Sequence, residues 1–581
     1  MNIVSRAELN LFSSARRQHT TLGFVVVLTL TVLLAAGCDS LTDVDPKGSL
    51  SEKQLENAKG AESLVNAAYS ALDANFADPN PAFLNPPSNW SFSDVRSDDA
   101  YKGGGGTGDI ADIHLIEIND GITPALGIAD TKWQADFIGV QRANSALRVV
   151  KNVEDESYPK QQRIAELRFL RGHFYFDLKK IFNRVPYIDE TTPELEVTDV
   201  SNRKLSSEEL WDKIRADFQF AADNLPDQPE EQGRADRFAA EGYLAKVALF
   251  RENWSDVIDH TDTIINSGRY GLLDSYTDLS RVEAFDNGKE DVFSIQHSVN
   301  DGSNFGNINW GDLLNMPTTD ACGGGGDGFL RPSQNLVNAY RVGEDGLPLL
   351  DSFNEQDVQE GSPIDPRLDF VVTRIGIPWK GFSQLPTDAW MRNSSVYGPY
   401  ARKKLIVPPD SPYQVEGFPW CASSLNWPLI RYAEVLLWKA EALVESGGSL
   451  SEARNLVNQV RERAANRESW VRTLEGEELA ANYQIEPYPA EGWTRDYALK
   501  AVRFETRLET ALEGHRFFNL VRWDRAEPVL NEYFNEEVGD AGYLQSARFI
   551  EGKHEYMPIP QNQIDISGGI YEQNPGYGGG N

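Results

Sequence analysis

Apolar positions recur at spacings of three and four along two long stretches of the chain, and that period predicts α-helices. Ile164, Leu167, Leu170, Phe174, Leu178 and Ile181 form the first stripe. It ends near Asn183, ahead of Val185-Pro186, where the residue before proline is pushed out of helical geometry. Ser206, with Glu209 three places on, reads as a capping box. Leu210, Ile214, Phe218, Ala221 and Leu225 carry the stripe behind it to Pro226. A further pattern runs from Phe238 to Phe250; Asn253 breaks it, and Trp254, Val257, Ile258 and Ile265 begin the next. The same unit returns later. Arg431 to Glu445 reads as helix, Gly447-Gly448 stops it, and Ser449 with Glu452 makes a second capping box before Ala453, Leu456, Val457 and Val460. A last helix is expected from about Arg495 to Leu512, before Gly514. Two helices joined by a short break are the unit of tetratricopeptide-like arrays, and Trp254-Ser-Asp-Val257 and Leu450-Ser-Glu-Ala453 each open the second helix of such a pair. The period is degenerate, so helix pairs are expected rather than a regular solenoid.

Between these patterns the periodicity disappears. Residues 75–130 are rich in Pro, Gly, Asn and Asp, and residues 270–430 hold most of the Trp and Pro outside the helices. Loops this long in a folded protein usually carry function. The expected fold is mainly α: a tetratricopeptide-like helix-pair scaffold at about 131–268 and 430–526, with long loop-rich insertions and minor β, within one body spanning 51–581. The loop-rich ligand face is expected at about 75–130 and 270–430.

The first 50 residues read differently. Arg6, Arg16 and Arg17 precede an uncharged apolar run from Leu22 to Ala35. A bilayer span needs about 20 residues, so this run fits a secretory signal. It ends in Leu34-Ala35-Ala36-Gly37-Cys38, which resembles a bacterial lipobox with Ala35 where Leu is usual. That implies a signal peptide at 1–37, acylation of Cys38 and a flexible tether over 38–50, with lipid as the membrane anchor.

Composition narrows the function. Acidic residues outnumber basic ones 88 to 55, for a formal net charge of -33, which argues against a nucleic-acid partner. Three cysteines, Cys38, Cys322 and Cys421, rule out a disulfide framework; Cys322 and Cys421 are either one bridge or two thiols. His114, His173, His260, His297, His515 and His554 include no HExxH motif and no close pair, so no zinc site is assigned. There is no G-x-S-x-G elbow, and neither Gly103–Gly106 nor Gly323–Gly326 is followed by Lys-Ser/Thr. Asp109/Asp112 and Asp345/Asp351 lack the spacing of a calcium loop. No catalytic residue, metal or cofactor is therefore assigned, although so many acids make chance carboxylate pairs for glycoside hydrolysis inevitable.

Five runs, taken in order, resemble the SusD/RagB family over nearly the whole chain. They are Ala165–Leu178 leading into Phe182–Pro186; Gly233-Arg234-Ala235 with Ala240–Leu249; Arg431–Leu437 with Ala440-Glu441-Ala442 and Asn458–Ala464; Arg503–Glu505 with Glu513–Trp523; and Met557-Pro558-Ile559-Pro560 with Gln573–Tyr577. Asn519 stands where the family often has Asp, and Asn183 where Gly is usual. The resemblance implies helix pairs with a variable loop-rich face. It also implies attachment outside the outer membrane and non-catalytic delivery of a nutrient, above all a glycan, to a SusC-like TonB-dependent transporter. A lipid-anchored glycoside hydrolase and a helical adaptor without a small ligand are the alternatives.

A sugar site without catalysis needs flat rings for the pyranose C–H faces and polar groups for the hydroxyls. Trp90 and Tyr101 flank Ser97-Asp98-Asp99, similar to a stretch near the family's ligand face, and Trp310 follows Asn309 in a segment of amides and acids. Trp420, like Trp379, Trp390 and Trp427, lies in a Pro- and Gly-rich loop. Trp90, Asp98, Tyr101, Asn309, Trp310 and Trp420 are the ligand candidates; the other reading of each ring is packing of a loop onto the scaffold. Arg168, Arg431, Arg503 and Arg516, beside apolar stripes with Glu166, Glu434, Glu505 and Glu513 nearby, form either an anionic-ligand site or, more simply, interhelix ion pairs.

Overall fold

The computed structural model describes residues 52–74, 82–302, 307–323, 325–415, 418–419 and 421–578. The expected signal peptide at 1–37, Cys38, the expected tether over 38–50 and Trp420 lie outside the described residues. Among those described, twelve helices have seven residues or more. In chain order they are α1 (Ala58–Tyr69), α2 (Ala111–Ile118), α3 (Gly127–Asn152), α4 (Lys160–Phe182), α5 (Ser207–Asn224), α6 (Arg237–Phe250), α7 (Trp254–Asn266), α8 (Tyr432–Ser446), α9 (Leu450–Ala464), α10 (Arg495–Thr510), α11 (Arg516–Arg522) and α12 (Ala526–Glu537).

Each of α3 to α7 packs on the next, and α8 packs on α9 and α10. Helix α7 also packs on α8, which joins the two helical blocks across the long intervening loops. Local chemistry sets the ends. Ser206 and Glu209 form the reciprocal capping box at the start of α5, and Asp236 and Asn253 cap α6 and α7 with their side chains. Gly447, at φ 82°, closes α8 in the left-handed conformation that glycine takes without penalty. Ring packing fills the space between α4, α5 and α6, where Phe218 stacks on Tyr243 at 4.6 Å and Phe169 meets Tyr243 edge-on at 5.4 Å.

Several expectations need correction. Only half of the second capping box forms: Ser449 accepts from the Glu452 amide, while the Glu452 carboxylate pairs with Lys439 of α8 at 2.5 Å. Helix α10 stops at Thr510, because Leu512 turns to φ 62°, and α11 and α12 follow it. Helix α2 falls within the stretch expected to be loop, and α3 begins at Gly127.

The β content is three two-stranded antiparallel ladders among the described residues. Strand β1 (Ala100–Gly103) pairs with β3 (Phe329–Pro332), with Tyr101 opposite Arg331. Strand β2 (Asp291–Ile295) pairs irregularly with β6 (Trp427–Arg431), which runs straight into α8. Strands β4 (Val372–Thr373) and β5 (Ala401–Arg402) form the third pair.

Candidate ligand-binding cleft

The loops are tied to the helices by buried polar contacts, and several of the expected ligand residues make these ties. Trp90 is fully buried; its indole N–H donates to the Gly311 carbonyl at 3.1 Å, and its ring meets Phe329 edge-on. Asp98 is buried between two arginines, bound by Arg516 through both carboxylate oxygens at 2.8 and 2.9 Å and by Arg507 at 3.1 Å. Burial opposes its charge, but Arg507 and Arg516 outweigh that and hold its pKa at about 2. Tyr101 is also buried, its hydroxyl donating to Glu537 at 2.5 Å. Asn309 caps a short 3₁₀ turn by accepting from the Asp312 amide at 3.2 Å, and Trp310 beside it is half-buried. Asp312 in turn accepts from Ser88 and pairs with Arg402, so the 88–90 and 309–312 segments meet. Trp90 and Tyr101 thus offer no open ring face, and both oxygens of Asp98 are taken by arginines, in this structure. Asp109 and Asp112 are taken by the Gly105 and Ile128 amides at 2.7 and 3.0 Å.

The paired arginines are likewise internal. Arg168 and Arg171 of α4 both bind Asp217 of α5. Arg503 pairs with Glu445, and Arg516 with Asp98. Arg431 is fully buried and reaches Glu290, Glu509 and Glu513 at 2.7 to 3.0 Å. Arg463 shares Glu290 and Glu509 with it; Arg367 and Arg461 share Glu505; and Lys404 pairs with Glu513. In this network each buried arginine is met by an acid, which offsets the cost of burying its charge. Gly514 follows directly. Its φ is 83°, its N–H donates to Asp94, and a Cβ there would lie 1.8 Å from the Ser88 carbonyl oxygen, so the turn admits only glycine.

Above this network opens a cleft of about 830 Å³. Tyr276 and Phe370, stacked at 5.6 Å, form its floor with Lys404. Tyr276 donates to the Glu509 carbonyl at 3.1 Å, and Arg463 lies 4.8 Å from its ring, so the network holds the floor in place. Pro378, Lys380, Phe382 and Ser383 make one wall; Pro408 to Pro412 and the segment 468–474 make others. The Phe382 wall rests on a small core of Met316, Trp379, Trp390, Met391 and Ile406, which includes a disulfide between Cys322 and Cys421. Trp379 and Trp390 meet edge-on at 5.9 Å in that core, and Phe382 packs against Trp390. The bridge that the sequence left open is therefore formed. A second cavity, between α4, α6, α8 and α11, is lined by His173, Asp177, Lys246, Glu434 and His515. At about 70 Å³ it has room for water but not for a sugar ring.

The cleft's residues were not among the sequence candidates. Phe382 stands in a polar segment with no period, and what brings it beside Tyr276 is contact between distant loops. The cluster of Trp379, Trp390 and Pro378 around it was the available signal.

Comparison with known proteins places the chain in context. A family described as "SusD family" matches residues 289–577, and one described as "Starch-binding associating with outer membrane" matches residues 110–249. SusD-like protein P2 of Formosa agariphila is 23% identical over 558 residues, covering 95% of this chain and 98% of that one. The starch-binding protein SusD of Bacteroides thetaiotaomicron is 23% identical over 77% of this chain and 78% of its own. Among solved structures, surface glycan-binding protein A from Bacteroides fluxus superposes with a TM-score of 0.65 at 25% identity, covering 89% of this chain and 99% of that one.

Proposed function

Because this chain belongs to the SusD/RagB family, we propose that it is a surface protein of the outer membrane that captures a glycan in the 276–474 cleft without cleaving it. The glycan is then handed to a SusC-like TonB-dependent transporter. Relatives with starch and glycan binding in their names support the ligand class, and the family description "associating with outer membrane" supports the location. Anchorage through an acylated Cys38 is part of the proposal.

The observation that carries it is the cleft itself. It has a volume suited to a short oligosaccharide. Phe382 supplies a half-buried ring, while Ser383, Ser411 and Thr473 supply hydroxyls at the edge. Trp310, Asn309 and Trp420 stay as candidates for a second contact on the loop-rich face. Trp90, Asp98 and Tyr101 enter as anchors of the loops, so truncating them tests folding rather than binding.

Native gels of the purified protein, cast with a panel of polysaccharides and paired with an assay for released sugar, test the proposal. Retardation by a glycan without release is the expected result. Release of sugar would favour the hydrolase reading, and no retardation by any glycan would favour the adaptor.

A further inference from the structure

We infer that the cleft selects an acidic polysaccharide, one bearing carboxylate or sulfate groups; this rests on the glycan-capture reading and narrows it. The first ground is charge. Over the whole chain acids outnumber bases 88 to 55. Leaving aside Lys404, which pairs with Glu513, the cleft changes the sign of that balance, with Arg281, Lys380, Lys403 and Arg472 against Glu283, Asp410 and Glu468. A basic depression in an acidic surface focuses anions into itself and repels them elsewhere.

The second ground is how those cations are partnered. Lys404 is neutralised by Glu513. Lys380 and Lys403 instead donate to main-chain carbonyls, of Ile406 and Pro378 respectively. A carbonyl satisfies the N–H group without neutralising the charge, and while Asp369 acts from beyond ion-pair distance on Lys403, only burial and other cations act on Lys380. Among the described residues, no carboxylate reaches ion-pair distance of Lys380, Lys403 or Arg472, whereas the arginines of the network below are fully paired. Arg281 is exposed, and among the described residues its one ion-pair partner is Asp278 of its own turn, at 3.7 Å. The charge on Lys380 is opposed first by burial and then by Lys403, Arg402 and Arg281. An anion bound among them would relieve that repulsion.

The third ground is the mounting. Lys380 sits at φ 45°, a left-handed conformation that residues other than glycine rarely adopt. Its neighbours on either side are Trp379, locked in the disulfide-bearing core, and Gly381, also at positive φ. The amine is thus carried by a constrained turn and not by a free surface loop. Phe382 lies two residues on, so ring and cation stand together on one wall. A uronate or sulfated sugar asks for that combination: a ring for its C–H face and a cation for its anionic group.

Titration calorimetry of the purified protein with polygalacturonate, a sulfated galactan, neutral laminarin and starch, and poly-glutamate tests the inference. One of the two acidic polysaccharides should bind at least about tenfold more tightly than either neutral glycan, as expected for one or two charge-assisted contacts. Which of the two binds separates carboxylate from sulfate recognition. The affinity should fall steeply between low salt and about 0.5 M salt. It should also fall about tenfold in the double variant Arg281→Gln/Arg472→Gln, whose positions are exposed and whose melting temperature should be unchanged. Tight binding of a neutral glycan with none of the acidic ones would overturn the inference and leave glycan capture standing. Binding of no glycan at all would remove both. Poly-glutamate binding as tightly as the polysaccharides would replace the inference with a general anion or acidic-peptide site.

Discussion

Burial at Glu537 outweighs the hydrogen bonds it accepts from Tyr101 and the Asn335 amide, and lifts its pKa to about 7. The folded state therefore holds this proton more tightly than the unfolded chain does. Its contribution to stability is full below the ordinary carboxylate range and is lost as pH rises through about 7. Glu537→Gln, which removes the titration, should flatten the decline in melting temperature between mildly acidic and mildly basic pH, gaining about 1–2 °C at the basic end. An unchanged pH profile would show that the group does not titrate there. Tyr101 and Asp98 were legible in the sequence as an aromatic and an acid in a stretch worth attention, but their destinations were not. Their partners Glu537, Arg507 and Arg516 lie more than four hundred residues away in the chain. Arg431 is similar: its place beside an apolar stripe could be read, while Glu290 and Glu513, 141 and 82 residues distant, could not. What the sequence could not show at these positions is their burial, which is a property of the whole packing.

Helices with large apolar stripes and side-chain caps were readable because their signals are local. The α5 box and the breaks at Asn183, Asn253 and Gly447 fall where the residues predict. Helix α3 was under-read because much of its buried face is small. Gly139 lies against Phe174, where a Cβ would come within 2.4 Å of the ring, and Ala135, Ala143 and Ala146 are also buried. Such a face gives weak periodicity even though it packs closely. Cysteine spacing could not decide the Cys322–Cys421 bridge, since its closure depends on the loops between. A bridge across 99 residues removes much freedom from the unfolded chain. Replacing both cysteines with serine should lower stability by about 2–5 kcal/mol, measured as a shift in thermal or urea unfolding. Equal stability of the variant and the oxidised parent would mean the bridge does not form in the protein.

At the scale of the molecule, the helical blocks and the loops divide the work. The helices and the buried ion network set a rigid floor, and the disulfide-bearing core holds the Phe382 wall over it. The strong negative charge keeps the surface solvated, while the cleft departs from it in sign. The family and the scaffold were legible from sequence; the cleft was not, because it is made where four distant segments meet. The central claim is capture at this cleft without chemistry. The most direct measurement is calorimetric titration of an oligosaccharide prepared from whichever polysaccharide the protein retains, comparing the parent with Phe382→Ala and analysing the mixture afterwards for shortened products. The account predicts one-site binding to the parent, affinity reduced severalfold to about tenfold in the variant, and the oligosaccharide recovered intact. Shortened products, or equal affinity of parent and variant, would contradict it.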